Sequence, residues 1–153
     1  MKIIVLAGGL STERDVSLSS AAGICRTLVE KGHDAFLLDV FMGLENAPEN
    51  LEDVFTLPDH GLEIVKNIST EEPDLEAVKA SRPDQSDCFF GPNVIELCRL
   101  ADITFLGLHG GEGENGKLQA SFDLLGIKYT GPDSLGCAVA MHKGVAKQIF
   151  LES

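Results

Sequence analysis

The sequence predicts a doubly wound α/β domain, a Rossmann-like three-layer arrangement around a mostly parallel sheet. Three observations predict it. A short apolar run, Lys2 to Ala7, leads through a glycine turn into a stretch with helical period. A second apolar run closes this opening within about forty residues, the size of a strand-helix-strand unit. The order of apolar run, glycine loop and helix then recurs from Ala101 to Leu125. Topology rules place both loops at one edge of the sheet, the carboxyl edge where ligands bind.

Taken in order, Lys2-Ile3-Ile4-Val5-Leu6-Ala7 is nearly continuous in apolar residues, which suits a strand covered on both faces. Leu18, Ala21, Ala22, Cys25, Leu28 and Val29 keep the spacing of an amphipathic helix, and Gly32 supplies its stop. Asp34 to Val40 reads as the second strand. From Phe41 to Asp87 periodicity fades while turn residues and acids accumulate, as in a variable insertion packed on the domain edge. Within it, Leu62 to Ile68 reads as a short strand and Leu75 to Ala80 as a short helix. Pro92 opens a helix over Asn93 to Arg99, and Asp102 to Leu108 is the third strand. Lys117 to Leu125 is helical, and Lys128 to Thr130 is a short fourth strand. Gly131-Pro132-Asp133-Ser134 turns the chain into Leu135 to Met141, and a last helix starts near His142. The expected core is Ile3, Val5, Leu28, Leu37, Ile103, Phe105 and Leu125.

Length and charge narrow the classes. With 153 residues the chain holds one domain with a real core. Its formal charge of −12 argues against a nucleic-acid surface, which needs clustered Lys and Arg. Glu45 to Asp87 contains twelve acidic and three basic residues, so that stretch alone carries −9. The acidity belongs to the insertion. No apolar run approaches the ~20 residues of a membrane span, and the N-terminus lacks a signal peptide's basic start, so a cytoplasmic location is expected. Cys25, Cys88, Cys98 and Cys137 are scattered and sit mostly at apolar periodic positions, as buried thiols do, with no spacing for a metal or redox pair.

The turn Gly8-Gly9-Leu10-Ser11-Thr12-Glu13-Arg14-Asp15-Val16-Ser17 joins the first strand to the first helix. Free backbone N–H groups and the helix dipole make such a turn favour anions. Thr12-x-x-Asp15 has the form of a capping box. Two carboxylates at the lip oppose a phosphate but suit a zwitterion, with Glu13 facing an ammonium and the helix end a carboxylate. Equally, Glu13 and Asp15 complement the helix dipole in its first turn. His109 ends a strand beside Gly110-Gly111, where it either donates to a ligand oxygen or satisfies loop carbonyls. Lys143 stands at a helix start, a place that calls for an anion nearby unless the lysine is simply solvated. Gly111-x-x-x-x-Gly116-Lys117 imitates a P-loop, but Leu118 replaces the magnesium-binding hydroxyl and Glu112 and Glu114 oppose phosphates. No dinucleotide fingerprint is present at Gly8-Gly9.

Val5 to Leu18, with Gly8-Gly9-Leu10-Ser11-Thr12-Glu13-Arg14-Asp15-Val16-Ser17 at its centre, resembles the opening of the D-alanine–D-alanine ligases of the ATP-grasp superfamily. Leu108-His109-Gly110-Gly111-Glu112-Gly113-Glu114-Asn115-Gly116-Lys117-Leu118-Gln119 resembles their second signature, and Tyr129-Thr130-Gly131 and Met141-His142-Lys143 follow in the right order. Together these cover most of the chain outside Phe41 to Asp87. His142 departs from the aspartate of many relatives.

The resemblance implies an ATP-dependent ligase for peptidoglycan synthesis: ATP phosphorylates one D-alanine carboxylate, and the amine of a second D-alanine attacks the acyl phosphate. Glu13 would anchor the first D-alanine's ammonium and count as catalytic through that role. Val16, Ser17, His109 and Gly110 would line the same subsite, and Lys143 would lie near the nucleotide. ATP and Mg2+ would be bound mainly beyond residue 153, and no metal ligand is expected here. The chain stops inside a helix, at Leu151-Glu152-Ser153, as a fragment would. Residues 1–140 would form the N-terminal pre-ATP-grasp domain, with 41–87 as its insertion, and 141–153 the first helix of a truncated ATP-grasp domain. Expected partners are D-alanine, the remaining ATP-grasp domains and a second copy in a homodimer, with no nucleic acid and no membrane. The alternatives are a standalone domain binding a small carboxylate, or a ligase taking D-lactate or D-serine second.

Overall fold

A computed structural model describes residues 1–65 and 72–152. Strand β1 (Lys2–Ala7) leads into helix α1 (Arg14–Glu30), which returns to β2 (Asp34–Asp39). After two 3-10 helices, Leu51–Thr56 and Leu62–Ile64, come α2 (Leu75–Ser81), α3 (Val94–Leu100) and β3 (Ile103–Leu106). The short α4 (Gly111–Glu114), α5 (Lys117–Leu125), α6 (Ser134–Met141) and α7 (Lys143–Glu152) complete the order. The sheet is parallel throughout, in the order β2-β1-β3. Its central strand is β1, with Ile4 opposite Phe36 on one side and Thr104 on the other.

Alternation along β1 divides the core into two layers. Ile3, Val5 and Ala7 face α1 and pack on Leu18, Ala21, Ala22 and Cys25. Ile4 and Leu6 face the opposite way, toward Val94, Leu97, Leu118 and Phe122 on α3 and α5. The predicted α/β fold with helices on both faces is what the chain adopts, and both glycine turns leave the carboxyl ends of their strands.

Several expectations need correction. The fourth strand shrinks to one bridge, Thr104 with Tyr129, held by the Thr104 N–H on the Lys128 carbonyl (2.8 Å) and the Thr130 N–H on the Thr104 carbonyl (3.0 Å). Gly131-Pro132 follows at once, so no further ladder bond forms. Ile3, Val5 and Leu37 are buried as expected, but Leu28, Ile103, Phe105 and Leu125 are only half-buried. Ile103 and Phe105 lie on β3, which flanks the sheet with only the Tyr129 bridge beyond it, while Leu28 and Leu125 sit in the last turns of α1 and α5. Leu62–Ile64 is a 3-10 turn rather than the start of a strand, and the remainder of that expected strand, from Lys66, lies outside the described residues.

The acidic insertion does lie along the sheet edge. The Leu37 N–H, on the side of β2 away from β1, donates to the His60 carbonyl at 2.9 Å. His60 is half-buried, and its Nδ1 also lies 3.1 Å from the Ala35 carbonyl oxygen. Val54 and Phe55 are buried beneath the first 3-10 turn. The insertion thus covers an edge that would otherwise be free to pair with another strand.

Cys25, Cys98 and Cys137 are buried, whereas Cys88 is exposed. Burial pushes the Cys25 thiol up to about 11 and the Cys98 thiol up to about 12. At mildly alkaline pH a thiol reagent should therefore label Cys88 quickly and the others only on unfolding. Cys88→Ser should abolish the fast phase, and a fast phase surviving that change would refute the assignment. Leu6→Ala, at a fully buried site, should destabilise by about 2–5 kcal/mol in urea unfolding. The half-buried Phe105→Ala should fall below the roughly 3–5 kcal/mol of a fully buried phenylalanine.

Candidate functional site

The turn after β1 is shaped by a charge that the fold buries. Asp39 ends β2 opposite Ala7, and only 2% of it is exposed. Arg14, the first residue of α1, ion-pairs with it and sends a second N–H to the Gly9 carbonyl at 2.7 Å. Asp39 also accepts from the amides of Gly9 (3.4 Å), Phe41 (2.9 Å) and Met42 (3.1 Å). Gly8, at φ +72°, lies so close that a Cβ there would stand 2.7 Å from the Asp39 carboxylate. No other residue fits. Arg14 and Asp39 stand 25 positions apart, so no local sequence pattern marks their pairing.

Two serine hydroxyls join this turn to the one after β3. Ser17 donates to the Gly107 carbonyl (2.8 Å) and accepts from the Gly8 N–H (3.0 Å). Ser11 donates to the His109 carbonyl (2.7 Å) and accepts from the Glu13 N–H (3.3 Å). The expected capping box is absent, since neither Thr12 nor Asp15 bonds the start of α1 and Glu13 holds the N-cap position without a side-chain bond. Ser11 meets part of that need from outside the helix. Ser20 Oγ donates to the Ser17 carbonyl (3.1 Å) and lies 3.1 Å from His109 Nε2. With the hydroxyl hydrogen given to Ser17, the bond to His109 requires the proton on Nε2.

These links bring Glu13, Val16, Ser17, His109 and Gly110 to one place. Gly110, at φ +68° and ψ −179°, adopts a backbone open essentially to glycine alone. A Cβ on it would lie 2.8 Å from Glu13 Oε2, so the second turn touches the first at the Glu13 carboxylate. Glu13 is exposed and has no cationic or donor partner among the described residues. Val16 is 48% exposed beside it on α1, while Ser17 is fully buried and acts as a brace through its hydroxyl. The cleft between the turns is closed to a water-sized molecule. A ligand here would lie on the outer lip, against Glu13, Val16 and His109.

Lys143 is not brought to this lip by any described hydrogen bond or ion pair. It is exposed at the first residue of α7, a helix with no buried residue. His142 Nδ1 accepts from the Val145 N–H at 3.2 Å, a capping bond that an aspartate at this position would make with its carboxylate. Among the described residues no three His, Cys, Asp or Glu side chains are grouped to hold a metal ion. No described helix is long and apolar enough to cross a membrane.

Comparison with known proteins places this geometry in a family. A family model described as D-ala D-ala ligase N-terminus matches residues 2–132. A D-alanine–D-alanine ligase of Lacticaseibacillus casei (strain BL23) is 46% identical over 151 residues, covering 99% of this chain and 42% of the relative. One of Pediococcus pentosaceus is 49% identical over 156 residues, covering 99% of this chain and 43% of the relative. This chain therefore spans less than half the length of these relatives. The structure of the D-alanine–D-alanine ligase from Coxiella burnetii superposes with a TM-score of 0.58 at 25% identity, over 99% of this chain and 42% of that one. The Bacillus anthracis ligase complexed with ATP shares the fold, with a TM-score of 0.58 at 22% identity over 97% and 36% of the two chains.

Arg14→Met leaves Asp39 buried without its counter-charge and should lower stability by about 3–5 kcal/mol. Adding Asp39→Asn should restore part of that loss, because the amide oxygen still accepts from Phe41 and Met42. Urea unfolding of both single variants and the double variant measures the coupling, and strictly additive losses would disprove it.

Proposed function

The chain belongs to the D-alanine–D-alanine ligase N-terminal family, and from that membership we propose that it is the first-substrate half of an ATP-dependent D-alanine–D-alanine ligase. The observation that carries the reading is the meeting of the two turns at an unpaired carboxylate, with Glu13 Oε2 2.8 Å from the Cβ position of Gly110. Arg14 is neutralised by Asp39, so the first turn presents net negative charge, with Glu13 at its exposed lip and Asp15 behind it on α1. A zwitterion suits this lip. Its ammonium pairs with Glu13, and its carboxylate faces the start of α1 near Val16, where first-turn amides lack helical acceptors. His109 stands beside the same subsite, its ring oriented by the Nε2–H held toward Ser20. Ser17 and Gly110 shape it, Ser17 as the brace and Gly110 by leaving room for Glu13.

In this reading the chain's residues bind and orient the first D-alanine. Phosphorylation of its carboxylate and attack by a second amine make the dipeptide for peptidoglycan. ATP supplies the phosphoryl group. Lys143 is the residue of this chain assigned to the nucleotide, and no phosphoryl-transfer step is assigned to this chain. On this reading residues 1–140 are the substrate-binding domain and α7 (Lys143–Glu152) begins the ATP-grasp domain, in a cytoplasmic homodimeric enzyme.

Glu13→Gln in the full-length enzyme tests the reading. Loss of one charge-assisted hydrogen bond should raise the KM for the first D-alanine about ten- to a hundredfold, with the ATP constant little changed. A mildly lower melting temperature with ordinary D-alanine kinetics would leave Glu13 as a helix-end charge, whose worth is only ~0.3–1 kcal/mol. The 153-residue chain alone should release no phosphate from ATP with Mg2+ and D-alanine.

A further inference from the structure

The acidic insertion contains a cation that the substrate site does not use. Arg82 is 2% exposed, the largest fully buried side chain of the domain. Its guanidinium donates to the carbonyls of Cys88 (2.5 Å) and Phe90 (3.3 Å), and its Nε lies 2.7 Å from Asp84 Oδ1. Its planar face lies over the Phe41 ring, 4.8 Å from the centroid. A buried arginine with carbonyl acceptors on one short segment acts as a clamp on that segment.

What the clamp holds lies against the first turn. Phe89, between the two clamped carbonyls, places Cζ 3.6 Å from where a Cβ would sit on Gly9, and it lines the closed cleft between the two turns. Phe90 and Gly91 also have anchors of their own besides the clamp. Phe90 stacks on Phe122 with centroids 6.1 Å apart, and the Gly91 N–H donates to the Val40 carbonyl at 2.8 Å. Cys88, on the other side of Phe89, is exposed, and its carbonyl is tied down by Arg82. A second path runs through Phe41, which lies under the guanidinium and gives its N–H to Asp39, the partner of Arg14. On the insertion side the turn is loosely backed. A cavity of about 280 Å³ separates Leu10 and Phe41 from Ala80, Gln85 and Ser86, so the turn has room to shift if Phe89 yields.

We propose that Arg82 is a positioning residue for the substrate turn: by clamping Cys88 and Phe90 it seats Phe89 against Gly9 and so fixes the segment that carries Glu13. This rests on reading Glu13 as the ammonium anchor. The insertion then sets the affinity of the first subsite without touching the substrate.

The test uses the full-length enzyme with Arg82→Met, Arg82→Lys and Phe89→Leu. Methionine keeps apolar contact with Phe41 but removes both carbonyl bonds. A misplaced turn should raise the KM for the first D-alanine roughly tenfold, leave the KM for ATP unchanged, and speed amide exchange at Gly9 and Leu10. Phe89→Leu, with the clamp intact, should reproduce the KM and exchange changes, and Arg82→Lys should recover part of them. A lower melting temperature in Arg82→Met with wild-type KM and wild-type exchange at Gly9 and Leu10 would reduce Arg82 to a structural role. Should Arg82→Met not fold, Phe89→Leu decides alone, and a wild-type KM there overturns the proposal. If the parent enzyme shows no D-alanine-dependent ATP turnover, the ligase reading fails separately. Amide exchange at Gly9 and Leu10, which needs no activity, still decides the positioning.

Discussion

The buried ion pair between Arg14 and Asp39 is the constraint on which the rest of the site depends. A carboxylate that is almost fully buried must be paired and hydrogen-bonded to offset its lost hydration. Here it meets that requirement by drawing in the first residue of α1, the Gly9 amide and the amides of Phe41 and Met42. The start of α1, the turn after β1 and the exit of β2 are thereby tied at one point. Only glycine at position 8 leaves room for the carboxylate. Neutralising Arg14 inside the fold also sets the polarity of the surface, since it leaves Glu13 outside as an unpaired negative charge.

Around that point the two turns divide their labour by burial. Ser11 and Ser17 face inward and use their hydroxyls on the carbonyls of His109 and Gly107, which fixes the spacing of the turns. Glu13 and Val16 stay exposed at the lip and His109 half-buried beside them. In the proposed function, the buried hydrogen bonds beneath these groups would hold the subsite ready before the ligand arrives.

The acidic insertion contributes more than solvated charge. It pairs the free edge of β2 through His60, buries Val54 and Phe55, and places Arg82 where its guanidinium grips the segment next to Gly9. Its net charge of −9 made it look peripheral, because carboxylates are tolerated at a surface without interior partners. The informative residue was the buried cation among them.

The order of strands and helices, the parallel sheet and the shared edge of the two glycine turns were all legible in the sequence. They follow from local periodicity, glycine placement and the handedness of crossovers, which act over short stretches of chain. The residues of the lip were legible too, because Glu13, Val16, His109 and Gly110 sit in two uninterrupted motifs. Tertiary structure decided what crosses between motifs. It paired Arg14 with Asp39 through the register that sets Ala7 beside Asp39, and turned Ser17 from a lip residue into a buried brace. It also cut the fourth strand to one bridge and left Phe105 half-buried on β3, which pairs with β1 on one side and has that bridge on the other. Each of these outcomes depends on which distant backbone comes within hydrogen-bonding distance, and a buried charge finds its partner only once the sheet has brought the two segments together.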